Sequence, residues 1–234
     1  MPSPIIVALD FETKNEALAL VASLGSSADF YKVGLQLLTE VGPDIVRELV
    51  RMDKHVFLDL KLHEIPNSVA GAVSAAGKLG ASMVTVHASA GSAVLRAAVK
   101  AAEPYPNLKV LALTVITSLT DGDLLEIGLA SSVEQQVLRL TRLAADSGCH
   151  GVVASAQEAV LVKGLLPIGA LIVTPGIQLP NGKSNDQARV SSPQFAAASG
   201  ASHVVVGRAI SGAAEPRQAF ADTLALFLRG ANGG

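Results

Sequence analysis

The chain has no tryptophan, a single cysteine, and an aromatic content of only 3%. Its formal net charge is −2, and charged residues make up just 16% of it. Nucleic-acid binding rests on a basic field and on stacking surfaces; with neither present, nucleic acid is excluded as a partner. Cys149 cannot form an internal disulfide. In "DSGCHGVVAS" it reads as a small buried thiol, and a reducing compartment is expected. The opening "MPSPIIVALD" carries no basic region or small-residue cleavage site, and its apolar run is too short to span a bilayer. The expectation is a cytoplasmic protein without a membrane partner. The histidines, at 55, 63, 87, 150 and 203, show no HxxxH-type spacing. His87 sits at the C-terminal end of a strand with inward parity, His55 and His203 begin strands, and His63 is read as facing outward, in a surface or supporting place. No metal site is expected.

Half of the 234 residues are hydrophobic, enough to bury a large core in one domain. Short runs of Val, Ile and Leu recur, each followed by an amphipathic stretch that ends in Gly or Pro. Strands are predicted at 5–10, 30–35, 56–62, 83–88, 109–115, 151–155, 171–176 and 203–208. Helices are predicted at about 13–24, 40–51, 67–79, 92–103, 133–147, 157–165, 193–199 and 216–228. Eight alternating units suit a closed α/β barrel, the (β/α)8 or TIM barrel, better than an open sheet. The reading is one domain over 1–234, with the Gly-rich tail fraying from about 230. Two loops are long, "TSLTDGDLLEIGLASS" after the fifth strand and "IQLPNGKSNDQARVSS" after the seventh. Both lie at the C-terminal ends of strands, where this fold places its active sites.

Into the third strand the sequence sets two charges, "FLDLKLHEIP" at 57–66. Alternation puts Phe57, Asp59 and Lys61 on one face and Val56, Leu58 and Leu60 on the other. A buried ion pair is a weak source of stability, so the pair calls for a chemical reason. Other polar residues fall on the same rim: Asp10, Lys32, His87, and Thr114 with Thr117 and Ser118. Parity turns Asp10 and Lys32 into the barrel. The arrangement suggests an alternating row Lys32, Asp59, Lys61, Glu64 in which carboxylates hold each lysine protonated. At ~4 Å such a pair interacts by about 4 kcal/mol at an effective dielectric near 20. A positioned ammonium can donate a proton to carbon or oxygen. The eighth strand ends "VVVGRAIS", where Gly207 admits backbone N–H groups close to an anion and Arg208 adds a permanent charge. Loops seven and eight form the usual phosphate site of this fold.

Several stretches carry a resemblance that runs through almost the whole chain: "VALDF" ending at Phe11, "YKVGL" at 31–35, "FLDLKLHEIPNSV" at 57–69 and "TVHASAG" at 85–91. They continue in "TVITS" at 114–118, "HGVVAS" at 150–155, "VTPGIQ" at 173–178, "NDQARV" at 185–190 and "VVVGRAI" at 204–210. The chain resembles the orotidine 5'-phosphate decarboxylase family, and the third of these stretches is the most specific. The resemblance implies decarboxylation of orotidine 5'-phosphate to UMP with no metal and no organic cofactor. It implies that Asp10 and Lys32 hold the ribose hydroxyls, that Lys61 protonates the carbon losing carbon dioxide, and that Asp59 sits beside the substrate carboxylate. Gln187, Gly207 and Arg208 would bind phosphate, with Gln178 nearby, and Thr117 and Ser118 would lie near the pyrimidine edge. Glu64 and Ser68 would serve the neighbouring subunit's site, which implies a homodimer. Two positions depart from the family pattern: Glu64 stands in place of Asp, and Gln178 in place of the common bacterial Arg. The alternatives are a magnesium-dependent decarboxylase of sugar-acid phosphates from the same barrel group, and a nucleotide-binding dimer without catalysis. Ribulose-phosphate epimerase chemistry is disfavoured for want of paired His and Asp ligands.

Overall fold

A parallel strand must be covered on both faces, and the amphipathic segment that follows each strand supplies the outer cover. The computed structural model describes residues 2–179 and 190–232 and repeats this unit around a closed ring. The first half runs β1 (Ile5–Ala8), α1 (Lys14–Leu24), β2 (Phe30–Gly34), α2 (Leu35–Val41), α3 (Asp44–Arg51), β3 (His55–Leu62) and α4 (Pro66–Leu79). It continues with β4 (Met83–His87), α5 (Ser92–Ala102), β5 (Lys109–Leu113), α6 (Asp121–Glu126), α7 (Val133–Asp146) and β6 (Gly151–Val153). The remainder is α8 (Ala156–Lys163), β7 (Leu171–Thr174), α9 (Pro193–Ala198), β8 (His203–Val206), α10 (Arg208–Ser211) and α11 (Pro216–Asn232). Each strand pairs in parallel with the next, and β8 closes on β1 with Ile5 opposite Val204. The expected (β/α)8 barrel is what the chain forms.

Strand parity divides the core in two. Ile6, Phe30, Phe57, Met83, Leu111 and Val205 fill the barrel interior, while the alternate residues join the helices in the larger outer cluster. These apolar side chains plug the interior below the polar C-terminal mouth.

Some elements depart from the sequence reading. The helix expected over 40–51 is two helices, because Gly42 ends α2 at a φ of 71° and Pro43 starts a new direction. The long fifth loop contains α6, opened by a reciprocal cap between Thr120 and Asp123. The last helix continues through Asn232, past the point at which the glycines suggested a frayed tail. Gly230 there is buried, and a Cβ on it would lie 2.1 Å from the carbonyl oxygen of Gln194 in α9. Among the described residues, no helix is long and apolar enough to cross a membrane.

Candidate active site

The barrel mouth holds a cavity of about 280 Å³ whose polar lining includes Asp10, Lys32, Asp59, Lys61, Thr117 and Arg208. Four of these form a row of alternating charge. Lys32 Nζ donates to Asp10 Oδ1 at 2.9 Å and lies 3.9 Å from Asp59 Oδ2, the same oxygen that accepts from Lys61 Nζ at 2.9 Å. Exposure differs along it: 11% for the Lys32 side chain, 15% for Asp59, 33% for Lys61 and 56% for Asp10. Lys61 is thus the ammonium open to a bound molecule, while Lys32 is locked between two carboxylates.

Local backbone geometry makes the row possible. From Leu58 to Leu62, β3 takes four steps while β4 takes two, from Val84 to Val86, so the ladder is interrupted at the charged residues. Lys61 sits at a φ of 50°, a left-handed conformation that costs a non-glycine residue about 1–3 kcal/mol and occurs mostly at functional sites. Thr85 of β4 fills the gap: its Oγ1 accepts from the Lys61 backbone N–H at 2.8 Å and donates to Asp59 Oδ1 at 3.0 Å. Gly34, opposite Asp59 in the β2–β3 register, leaves room for the row, since a Cβ there would lie 2.9 Å from Lys32 Nζ.

Beside Lys61, the ring of His87 stacks on His63 with centroids 5.3 Å apart. Burial, then the neighbouring His63 and Lys61 charges, hold His87 below the usual imidazole range. His87 Nδ1 and Ser89 Oγ lie 2.6 Å apart. His63, just past the end of β3, is exposed, in keeping with a surface or supporting place, and its ring packs on that of His87. No group of three His, Cys, Asp or Glu side chains that could hold a metal occurs among the described residues.

This geometry belongs to a chain whose residues 3–223 match a model of the "Orotidine 5'-phosphate decarboxylase / HUMPS family". The chain is 45% identical over 221 residues to the orotidine 5'-phosphate decarboxylase of Idiomarina loihiensis, covering 94% of this chain and 96% of that one. It is 46% identical over 218 residues to that of Laribacter hongkongensis, covering 92% and 88%. The crystal structure of orotidine 5'-phosphate decarboxylase from Lactobacillus acidophilus superposes with a TM-score of 0.84 at 33% identity, over 96% of this chain and 99% of that one. The chain belongs to the orotidine 5'-phosphate decarboxylase / HUMPS family.

Not every family position nominated from sequence falls at the mouth. Gly207 and Arg208 line the cavity, with Gly207 close enough to Asp10 for an added Cβ to lie 3.7 Å from its Oδ2. Thr117 lines it and is buried, whereas Ser118 is exposed and outside the lining; the neighbouring Ile116 takes that place. Thr114 faces away, its hydroxyl donating to the Val153 carbonyl. Glu64 does not extend the row within its own chain. It is exposed, and the Ser68 hydroxyl, then the Ile65 backbone, hold its carboxyl below the usual range. Gln178 is also absent from the lining; its backbone N–H donates to Ser191 O, and its buried Nε2 has no hydrogen-bond partner among the described residues. Gln187 lies outside the described residues. Sequence reasoning missed Thr85 and Gly34. The signal for Thr85 was available: a hydroxyl with inward parity on the strand next to Asp59 and Lys61.

Proposed function

We propose that the protein is an orotidine 5'-phosphate decarboxylase, converting orotidine 5'-phosphate to UMP and carbon dioxide in pyrimidine biosynthesis without a metal or organic cofactor. The observation that carries this reading is the Asp10–Lys32–Asp59–Lys61 row at the barrel mouth, in which Lys61 is the exposed ammonium. In the reaction, the bond between the pyrimidine ring and its carboxylate breaks, carbon dioxide leaves, and the electron pair stays on the ring carbon. A fixed cation beside that carbon stabilises the developing charge without reorganising, and the same group then transfers its proton to the carbon. Lys61 fills both roles, and solvent restores its proton afterwards.

Asp59 directs the ammonium and stands beside the substrate carboxylate, while Lys32 and Asp10 hold the ribose hydroxyls. Gly207 and Arg208 take the phosphate, joined by Gln187 with Gln178 nearby, and Thr117 with Ser118 borders the pyrimidine. Binding energy gained at the phosphate, far from the reacting carbon, is available for the chemical step. The working unit is a homodimer in which Glu64 and Ser68 reach the partner's site. The exposed run from His63 to Ser68, which includes Ile65 at 61% exposure, supports a surface meant to be covered. The lone buried Cys149 suits a cytoplasmic enzyme.

The fall in ultraviolet absorbance of orotidine 5'-phosphate tests the reading, measured with excess chelator and a Lys61→Ala control. Turnover by the wild type and loss in the variant are expected. Activity abolished by the chelator would move the assignment to the magnesium-dependent sugar-acid-phosphate relatives, and nucleotide binding without turnover to a binding protein.

A further inference from the structure

We propose that Thr85 is a positioning residue for the Asp59–Lys61 pair, acting through both its donor and its acceptor; this rests on the decarboxylase reading above. Thr85 is fully buried and does not line the cavity, so it does not reach a bound substrate. Both of its side-chain hydrogen bonds go to the two residues on which the chemistry depends.

The direction of those bonds follows from the partners. A backbone N–H can only donate, so Lys61 N–H uses a lone pair of the Thr85 hydroxyl. The hydroxyl proton is then left for Asp59 Oδ1, which accepts it. With Oδ1 occupied, Oδ2 is the oxygen that receives Lys61 Nζ and faces Lys32 Nζ. The terminal torsion of an aspartate is broad and roughly two-fold, so an unrestrained carboxylate could exchange its oxygens or tilt between the lysines. Thr85 removes that freedom. The other bond serves the backbone: the interrupted β3–β4 register leaves the Lys61 N–H without a strand partner, and the hydroxyl replaces the missing acceptor at a residue held left-handed. One hydroxyl therefore fixes the main chain of the acid and the side chain that directs it.

The experiment compares Thr85→Val, which keeps the shape and removes the oxygen, with Thr85→Ser, which keeps the oxygen. The Val variant is expected to lose about 30-fold in kcat, a displacement short of the ~100-fold expected for a full ångström. KM should stay within about threefold, because no substrate contact is removed, and the Ser variant should keep most of the wild-type kcat. Hydrogen exchange of the Lys61 amide gives a readout that needs no turnover: faster by about tenfold in Val and close to wild type in Ser, the loss of one buried hydrogen bond. A Val variant with wild-type kcat, a Ser variant as impaired as Val, or equal Lys61 exchange in all three proteins would overturn the proposal. A wild type that exchanges as expected but does not consume orotidine 5'-phosphate would instead remove the functional reading and leave the hydrogen-bonding role standing.

Discussion

Glu64 stands apart from the charged row of its own chain. Its carboxyl is exposed, held low first by Ser68 and then by the Ile65 backbone, and makes no ion pair within the row. If it completes a partner's site, Glu64→Ala lowers kcat/KM by about 100-fold with little change in melting temperature, since nothing buried is lost. Steady-state kinetics beside a thermal melt check this, and unchanged kinetics would withdraw Glu64 from the site. Cys149 is the opposite case. Burial pushes its thiol up to about 12, so almost no thiolate exists near neutrality. A thiol-reactive disulfide reagent at pH 8 should leave the folded protein unlabelled and react with one group per chain after unfolding; rapid labelling of the native protein would show that the thiol is accessible.

At the level of the element, β2 and β3 carry most of the site. Gly34 has a φ of −96°, open to any residue, so its small size rather than its conformation is what the site uses. In Gly34→Ala the new methyl would meet the Lys32 ammonium at 2.9 Å. That atom is the end of a flexible chain and can move, so stability should change by less than about 1 kcal/mol. Its movement breaks the bond to Asp10, and kcat/KM is expected to fall by about 10- to 100-fold. Kinetics and urea unfolding on one preparation separate the two effects; a destabilised but fully active variant would contradict the argument. The same pair of strands shows what was legible from sequence. Val, Ile and Leu runs mark all eight strands, and alternation places Asp59, Lys61 and Lys32 on the inner face. The interrupted register, the left-handed Lys61 and the bridging Thr85 depend on how β3 meets β4, a long-range fit that periodicity within one strand does not encode. The break between α2 and α3 is local and legible in the residues themselves, a glycine followed by a proline at 42 and 43.

On the scale of the whole molecule, the two ends of the barrel are chemically different. Charges gather at the C-terminal mouth, whereas the N-terminal end is closed by Phe30 between His55 and His203, with ring centroids 5.6 and 5.9 Å away. Burial lowers His203 to about 4, and His87 and His150 are lowered by the same cause. Above the unfolded value of about 6.5 these rings are neutral in both states, and their contribution to stability is fully present. As pH falls below that value, the unfolded chain takes up a proton that the folded barrel excludes from His203, and stability drops until the folded ring also titrates near 4. Between pH 7 and pH 5, His203 alone accounts for a loss of about 2 kcal/mol. Urea unfolding at the two pH values should show this fall in the wild type and a flatter dependence in His203→Asn, whose stability at pH 7 starts lower because the ring's packing on Phe30 is gone. An equal slope in both proteins would move the acid sensitivity away from His203 and toward His87 and His150.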